Sequence, residues 1–114
     1  MTKGNYLGEF ELVVLLALAR LGEPSSGMPI YDEICATTGR DVSVHSVYVT
    51  LGRMEKKGYV SSRQGESSES CDPGGPTRKC YELLPGGVSA LQQSRAMYDN
   101  LWAGVRLTTG AREP

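Results

Sequence analysis

Residues 42–60 read VSVHSVYVTLGRMEKKGYV, and this stretch decides the fold. Its apolar residues are spaced by three, four and three positions, which is the repeat of one buried helix face. They are Val44, Val47, Leu51 and Met54. Ser43 is a good N-cap, because its hydroxyl can accept a backbone N–H of the first turn. Lys56, Lys57 and Gly58 suit a helix C-terminus, so the stretch predicts a helix capped by Ser43 and Gly58.

Two more helices are predicted ahead of this one. Residues 8–21 are apolar around almost the whole circumference, so that helix needs cover on more than one side. We expect a second subunit to supply part of this cover. Residues 25–27 open a short amphipathic helix, which Gly39 ends. The tight connection at residues 39–42 then joins two helices in the manner of a helix-turn-helix.

The segment after the helix-turn-helix predicts a β-hairpin. Residues 59–64 and 78–84 are strand-like, and residues 65–77 between them are rich in turn-forming side chains. A hairpin directly after a helix-turn-helix is the wing of a winged helix. The predicted fold class is therefore mainly α with a small β-hairpin, a winged helix-turn-helix followed by a C-terminal helix.

The last predicted helix covers residues 88–105, after a chain break at residues 85–87. Its spacing of three and four is typical of a coiled-coil seam with one polar interruption. The seam contains Val88, Leu91, Arg95, Tyr98, Trp102 and Val105. The sequence thus predicts a winged helix-turn-helix DNA-binding domain at 1–87, a C-terminal dimerisation helix at 88–105 and a frayed tail at 106–114.

Composition places the chain among ordinary globular proteins of one domain. It has 114 residues, of which 39% are hydrophobic and 22% charged, and this balance carries no signature of disorder. The longest apolar run, residues 12–19, is far shorter than the roughly 20 residues that a membrane helix needs. Glu9 and Glu11 beside that run argue against a signal peptide. We therefore expect a cytoplasmic protein with no membrane partner.

Neither an enzyme site nor a cofactor or metal site is predicted. The chain has no glycine-rich phosphate loop, and its one histidine, His45, is the only plausible base for any nucleophile. No ligand pair stands at zinc spacing. The three cysteines, Cys35, Cys71 and Cys80, are an odd set without a C-x-x-C pair, so we expect free thiols. A redox switch between Cys71 and Cys80 is the less favoured alternative.

The face of the central helix opposite its apolar residues is small, polar and able to hydrogen-bond. It carries His45, Ser46, Val49, Thr50 and Arg53. A helix that reads the major groove of DNA needs such a face, although a plain solvated face has the same composition. The hairpin that follows favours the DNA-binding interpretation.

The charge distribution adds modest support to this interpretation. A net charge of −1 gives the whole chain no general attraction to nucleic acid. Within residues 40–79, however, basic side chains outnumber acidic ones. Arg63, Arg78 and Lys79 would flank the wing, where backbone phosphates pass in such complexes. Residues 65–77 contribute only acidic charges, so the tip of the wing is not expected to grip phosphate.

Three segments together resemble the PadR-like transcriptional regulators. They are Gly8-Glu9-Phe10-Glu11-Leu12, the stretch 47–60 with its Tyr-x-x-Leu-x-Arg core, and the wing residues Gly74-Gly75, Arg78-Lys79, Tyr81, Leu83 and Pro85. The resemblance spans most of the chain. It implies a homodimeric winged-helix repressor whose first and last helices form the subunit interface. A chain this short resembles the subfamily with a single C-terminal dimerisation helix.

The resemblance also implies which residues meet double-stranded operator DNA. Those expected near it are Ser43, Ser46, Tyr48, Thr50 and Arg53. Tyr48 lies between the core and groove faces, so it either anchors a phosphate or simply packs. His45 stands where the family often has a small residue, so it either reads a base or crowds the groove.

An effector site is a further implication of the resemblance. Some relatives bind planar aromatic effectors near the dimer interface, and Leu91, Tyr98 and Trp102 share the seam of the last helix. These residues form either such a ligand site or, as the favoured interpretation, interface packing. Two other functions stay open. One is a winged helix used for protein–protein contact, for which the nearly neutral charge speaks, and the other is a small-molecule sensor of aromatic ligands.

Overall fold

The computed structural model describes residues 6–22, 24–64 and 79–107. These ranges form four helices and one antiparallel hairpin, which confirms the predicted mainly-α winged-helix class. The elements are α1 (Glu9–Leu21), α2 (Gly27–Thr38), α3 (Val44–Lys56), β1 (Val60–Gln64), β2 (Lys79–Leu83) and α4 (Pro85–Trp102). None of these four helices is long and apolar enough to cross a membrane.

The first three helices enclose one apolar core. Its fully buried side chains come from every helix of the trio: Val14, Leu15 and Leu18 from α1, Ile30 and Ile34 from α2, and Val47, Leu51 and Met54 from α3. In α3 these are three of the four residues whose spacing predicted a buried face, and the fourth, Val44, is only half-buried. The core therefore holds the outer face of α3 in a defined direction.

The start of α3 follows the sequence closely, and the start of α2 does not. Ser43 caps α3, since its Oγ accepts a hydrogen bond from the Ser46 backbone N–H at 3.0 Å. Ser26 is the N-cap of α2, but its hydroxyl makes no capping bond. The third helical position after it is Pro29, which has no N–H to donate. Ser26 Oγ stays buried without a hydrogen-bond partner.

The hairpin is joined to the helices along its base. β1 and β2 pair with Val60 opposite Leu83 and Ser62 opposite Tyr81. On the other edge of β2, Tyr81 exchanges two backbone hydrogen bonds with Ser25, at 2.8 and 2.9 Å. The connection between α1 and α2 thereby fixes the angle at which the wing leaves the helix-turn-helix.

The last helix begins earlier than the sequence predicted. We expected a break at residues 85–87 and a helix over 88–105, whereas α4 runs from Pro85 to Trp102. Pro85 suits the first helical turn, where no intrahelical N–H bond is needed. A Cβ added at Gly87 would overlap the Tyr59 carbonyl oxygen, so glycine lets this turn lie directly on the chain that follows α3.

The cysteines depart from expectation at one position. Cys35 is a free thiol, as predicted. Cys80 is buried and disulfide-bonded, so the prediction of a free thiol there is wrong. Composition and spacing alone favoured the reduced state and could not report on bond geometry. Cys71 lies outside the described residues.

Candidate nucleic-acid interface

The outer face of α3 is exposed at every position except Gly52, which is half-buried. His45, Val49, Gly52 and Lys56 follow one another along it at helical spacing, with Val49 46% exposed. Tyr48 flanks this line on the side of the wing, and Arg53 flanks it on the side of α1. We call these six residues the outer face of α3. It presents one histidine, two cations, one phenol and an apolar centre.

Thr50 does not belong to this face. The sequence placed it with His45 and Arg53, but it is only 2% exposed, so that placement is wrong. Thr50 stands three residues after Val47 and four before Met54, which puts it within the buried arc of the helix. The same spacing could have revealed this, had the buried face been drawn wider than one residue.

The predicted DNA residues at the start of α3 hold each other. Ser43 Oγ and Ser46 Oγ lie 2.7 Å apart in one hydrogen bond, in addition to the capping bond. Each hydroxyl has one donor and two acceptor sites, so capping uses only part of their capacity. Both side chains lie at the N-terminal end of α3, as His45 does, where the helix dipole is positive.

Glu11 holds two cations at the edge of this face, a contact that sequence reasoning missed. Its Oε2 lies 3.4 Å from Arg53 Nε and 3.3 Å from Lys57 Nζ, and its Oε1 accepts the Gly8 backbone N–H at 2.8 Å. Burial alone would raise the pKa of Glu11, but these hydrogen bonds and positive charges outweigh it and lower the pKa. Glu11 thus orients two cations at the edge of the outer face. Its position in the first turn of α1 was the available signal.

Tyr48 packs against the start of α2. A Cβ added at Gly27 would overlap the Tyr48 ring, so the absence of a side chain there makes room for it. On its other side Tyr48 approaches Tyr81 of the wing, whose pKa is raised by burial and by the nearby Glu55 carboxylate and Tyr48. Glu55 itself accepts a hydrogen bond from Ser62 at 2.7 Å. Tyr48 of α3 therefore packs against the start of α2, and the packing interpretation accounts for its ring.

The wing adds cations of its own. Arg63 and Lys79 are both exposed and stand on adjacent strands near the far end of the described hairpin. Arg78, the third cation predicted there, lies outside the described residues. The two described cations and the outer face of α3 belong to consecutive elements, α3, β1 and β2.

A second exposed surface lies along α1 and α4. A cleft of about 450 Å³ between these helices is lined by Leu12, Leu16, Leu91, Gln92, Arg95, Tyr98 and Asp99. Leu16 is 44% and Trp102 59% exposed, although both are large apolar side chains. The residues that α4 buries in its own fold are instead small: Gly87, Ala90 and Ser94. The predicted seam of α4 thus faces largely away from the core.

Comparison of the chain with models of protein families identifies its family. The model of the "Transcriptional regulator PadR-like family" matches residues 14–93, more than half of the chain. The chain belongs to this family. It is accordingly a PadR-like transcriptional regulator with a DNA-binding winged helix, and not an enzyme. A comparison with curated protein sequences gave no match.

Solved structures show the same PadR-like fold. A PadR family transcription regulator from a hypervirulent Clostridium difficile is 19% identical, with a TM-score of 0.69 over 84% of this chain and 93% of that one. A PadR-like regulator from Bacillus cereus is 22% identical, with a TM-score of 0.65 over 82% and 84%. An organohalide-sensing transcriptional regulator in its 2,4-dichlorophenol-bound form is 18% identical, with a TM-score of 0.62 over 88% and 54%.

In this PadR-like regulator five of the nine predicted DNA-binding residues lie on one side of α3. Those that the structure brings together on or beside the outer face of α3 are Ser43, His45, Ser46, Tyr48 and Arg53. Thr50 is withdrawn into the core. Arg63 and Lys79 are exposed on the wing. Leu91 and Tyr98 line the separate cleft, and Trp102 is exposed beyond it.

Proposed function

We propose that this PadR-like regulator binds a two-fold symmetric operator as a homodimer and represses transcription, in response to a planar aromatic effector. The observation that carries the DNA part is the outer face of α3, which presents His45, Arg53 and Lys56 beside the exposed wing cations. A helix in the major groove needs hydrogen-bonding and cationic side chains on its outer face, with flanking cations on phosphates. Such a protein works in the cytoplasm, where the genome lies.

The homodimer is supported by the surface along α1 and α4. Monomeric proteins rarely leave large contiguous apolar patches in water. Here Leu16, Trp102 and Val105 are exposed together with Leu101, while α4 turns its small residues inward. A second copy of the same surface would cover these side chains. Two-fold symmetry would then present two α3 helices to half-sites about 34 Å apart on one side of the duplex.

The effector is supported by the cleft between α1 and α4. Its volume of about 450 Å³ is within the range of small-molecule sites, and its lining is apolar apart from a few polar groups. Tyr98 offers a ring on which a planar ligand can stack. The similar organohalide sensor binds 2,4-dichlorophenol, a planar aromatic compound that is small enough for a cleft of this volume. A chlorinated or hydroxylated aromatic is therefore the proposed class.

Fluorescence anisotropy tests the proposal. The protein is titrated into a labelled duplex from upstream of its own gene and into a scrambled duplex of the same composition, over a series of salt concentrations. We expect preferential binding to the native duplex, with log affinity falling linearly in log salt as counterions are released. Equal, weak binding to both duplexes would count against an operator at that place. Arg53→Ala combined with Lys79→Ala should abolish the preference, whereas a winged helix used for protein contact would keep its function.

The dimer and the effector have tests of their own. Sedimentation equilibrium should show a dimer at micromolar concentration, and a monomer there would contradict two-headed operator binding. Titration of 2,4-dichlorophenol should quench Trp102, the only tryptophan, and shift the anisotropy midpoint for DNA. An unresponsive spectrum across a panel of substituted phenols and benzoates would remove the effector from the proposal.

A further inference from the structure

Two residues at the centre of the outer face of α3 are not explained by the fold. Val49 is 46% exposed, although it is aliphatic and stands in the middle of a helix. Gly52 stands next to it, one turn further on, and a Cβ added there would meet no atom within 4 Å. Both residues favour a helix less than alanine does, Gly52 strongly and Val49 slightly. At Gly52 no neighbouring atom among the described residues explains this local cost.

Other glycines of the chain are explained by contacts or backbone angles within the protein. Gly27 leaves space for the Tyr48 ring, and Gly87 leaves space for the Tyr59 carbonyl. Gly39 and Gly58 adopt positive φ angles of 71° and 83° after α2 and α3. Gly52 has helical backbone and open space around it. Among the described residues, therefore, no contact and no backbone angle accounts for the missing side chain of Gly52.

The surroundings of the pair indicate a nucleic acid. Arg53 and Lys56 stand beside it, and the nearest acidic side chain of α3, Glu55, is turned to Ser62 of the wing. This charge pattern complements phosphates on either side of a groove. In the major groove the one apolar group that base pairs present is the 5-methyl group of thymine. An exposed valine on the same side of α3 as Arg53 and Lys56 is matched to that group.

We infer that Val49 and Gly52 form a thymine-reading notch. The Val49 methyl groups contact the thymine 5-methyl, and bare backbone at Gly52 lets α3 approach the base edges closely enough for that contact. The inference rests on the proposed operator binding and adds the chemical feature that one part of each half-site must have. A cytosine at the same place lacks the methyl group and is discriminated against.

The test begins with an operator selected from a random duplex library by the full-length wild-type protein. Each thymine is then replaced singly by deoxyuridine, which removes only the 5-methyl group. We expect one thymine per half-site at which the replacement weakens binding by roughly three- to tenfold. Deoxyuridine at the other thymines serves as the matched control and should have no effect. Binding at every thymine unaffected by the replacement would overturn the inference.

Val49→Ala, combined with the deoxyuridine replacement, completes a double-mutant cycle. The variant should bind the thymine operator about as weakly as the wild type binds the deoxyuridine operator, and its own deoxyuridine penalty should disappear, because the two changes remove the same contact. A variant that keeps the full penalty would show that another residue reads the methyl group. That result overturns the assignment to Val49 even though operator binding itself stands.

Gly52→Ala separates close approach from helix stability. The substitution should raise the melting temperature, as alanine improves the helix, and should weaken operator binding at least tenfold. Ser89→Ala, at an exposed position on α4, is the control that improves helix propensity without touching α3. Unchanged affinity for Gly52→Ala would overturn the close-approach step. If the selection enriches no duplex at all, the proposed function fails together with the inference, whereas an enriched but methyl-insensitive operator sinks only the inference.

Discussion

The outer face of α3 and the surface along α1 and α4 are both built from helices, but these helices bury and expose opposite kinds of side chain. α3 buries its large aliphatic residues in its own core and leaves outward a histidine and two cations, one of them already paired with Glu11. α4 buries small residues and leaves Trp102 and its seam outward. The large aliphatic side chains of α3 are thus covered within the fold, whereas the large apolar side chains of α4 are left uncovered. This difference is what the proposed function requires, with operator DNA on α3 and a second subunit on α4.

Backbone atoms make one of the contacts between the two surfaces. The Leu84 backbone N–H donates to the Tyr59 carbonyl at 2.9 Å, and the first turn of α4 lies on the chain just after α3. A movement of α4 relative to α1 would therefore reach the end of α3 through backbone atoms rather than through flexible side chains. Substitutions can disrupt this junction and each of the two surfaces separately.

The largest expected effect is at the junction. Gly87→Ala places a Cβ onto the Tyr59 carbonyl oxygen, and because that neighbour is backbone, we expect a loss of about 3 kcal/mol in the free energy of unfolding. Gly86→Ala is the graded control, since its Cβ would lie 3.0 Å from the Gly58 carbonyl oxygen and should cost less. Urea denaturation measures both. Equal stability of Gly87→Ala and wild type would show that α4 can leave this contact freely.

The next effect separates the apolar surface from the fold. Leu16→Asp changes a side chain that is 44% exposed, so the single subunit should stay folded. In the proposed dimer the same carboxylate would be buried without a partner, so we expect the dissociation constant of the dimer to rise by at least a hundredfold, or about 3 kcal/mol. Sedimentation equilibrium measures the shift and circular dichroism checks the fold. A dimer of wild-type strength would place the interface elsewhere.

The charged surface should respond more mildly. Lys56→Ala removes an exposed cation from the outer face of α3, and we expect about tenfold weaker operator binding with a salt slope reduced by about one. Dimerisation should not change, which is the contrast with Leu16→Asp. Thr37→Ala on α2 is a control away from the outer face of α3. An unchanged salt slope would show that Lys56 meets no phosphate.

The sequence predicted the elements whose signals are local. The spacing of Val47, Leu51 and Met54 marked the buried side of α3, and Ser43 marked its start, since both follow from neighbours within two turns. Thr50 was misplaced because a buried arc is wider than one line of residues. The winged-helix class was predicted from the order of the elements alone.

What the sequence could not supply are contacts between distant segments. Glu11 and Arg53 belong to different helices, and nothing local to either residue shows that their side chains meet. The start of α4 was missed for a similar reason, because Pro85 followed by two glycines resembles a chain break unless the Tyr59 carbonyl beneath Gly87 is known. Such placements depend on packing, which periodicity does not record.

The smallest expected effect concerns the pair that borders both regions, Glu11 with Arg53 and Lys57. The pKa of Glu11 is lowered in the folded state, so its charge stabilises the fold above its ordinary value near 4.5, and this contribution is lost as the pH falls through the lowered pKa. Glu11→Gln keeps an acceptor for the Gly8 N–H and removes only the charge. Because the pair is partly solvated, we expect a loss of about 1 kcal/mol or less at pH 7.

Two measurements distinguish this ion pair from a simple surface charge. The stability difference between Glu11→Gln and wild type should shrink to nothing as the pH falls through and below the lowered pKa of Glu11, since both side chains are then neutral. At pH 7 the variant frees Arg53 and Lys57 for phosphate and should bind the operator somewhat more tightly, whereas Glu9→Gln, which touches Arg40 instead, should not. A pH-independent stability difference would refute the charge contribution. Weaker DNA binding by Glu11→Gln would mean that Glu11 holds Arg53 in its binding position rather than away from it.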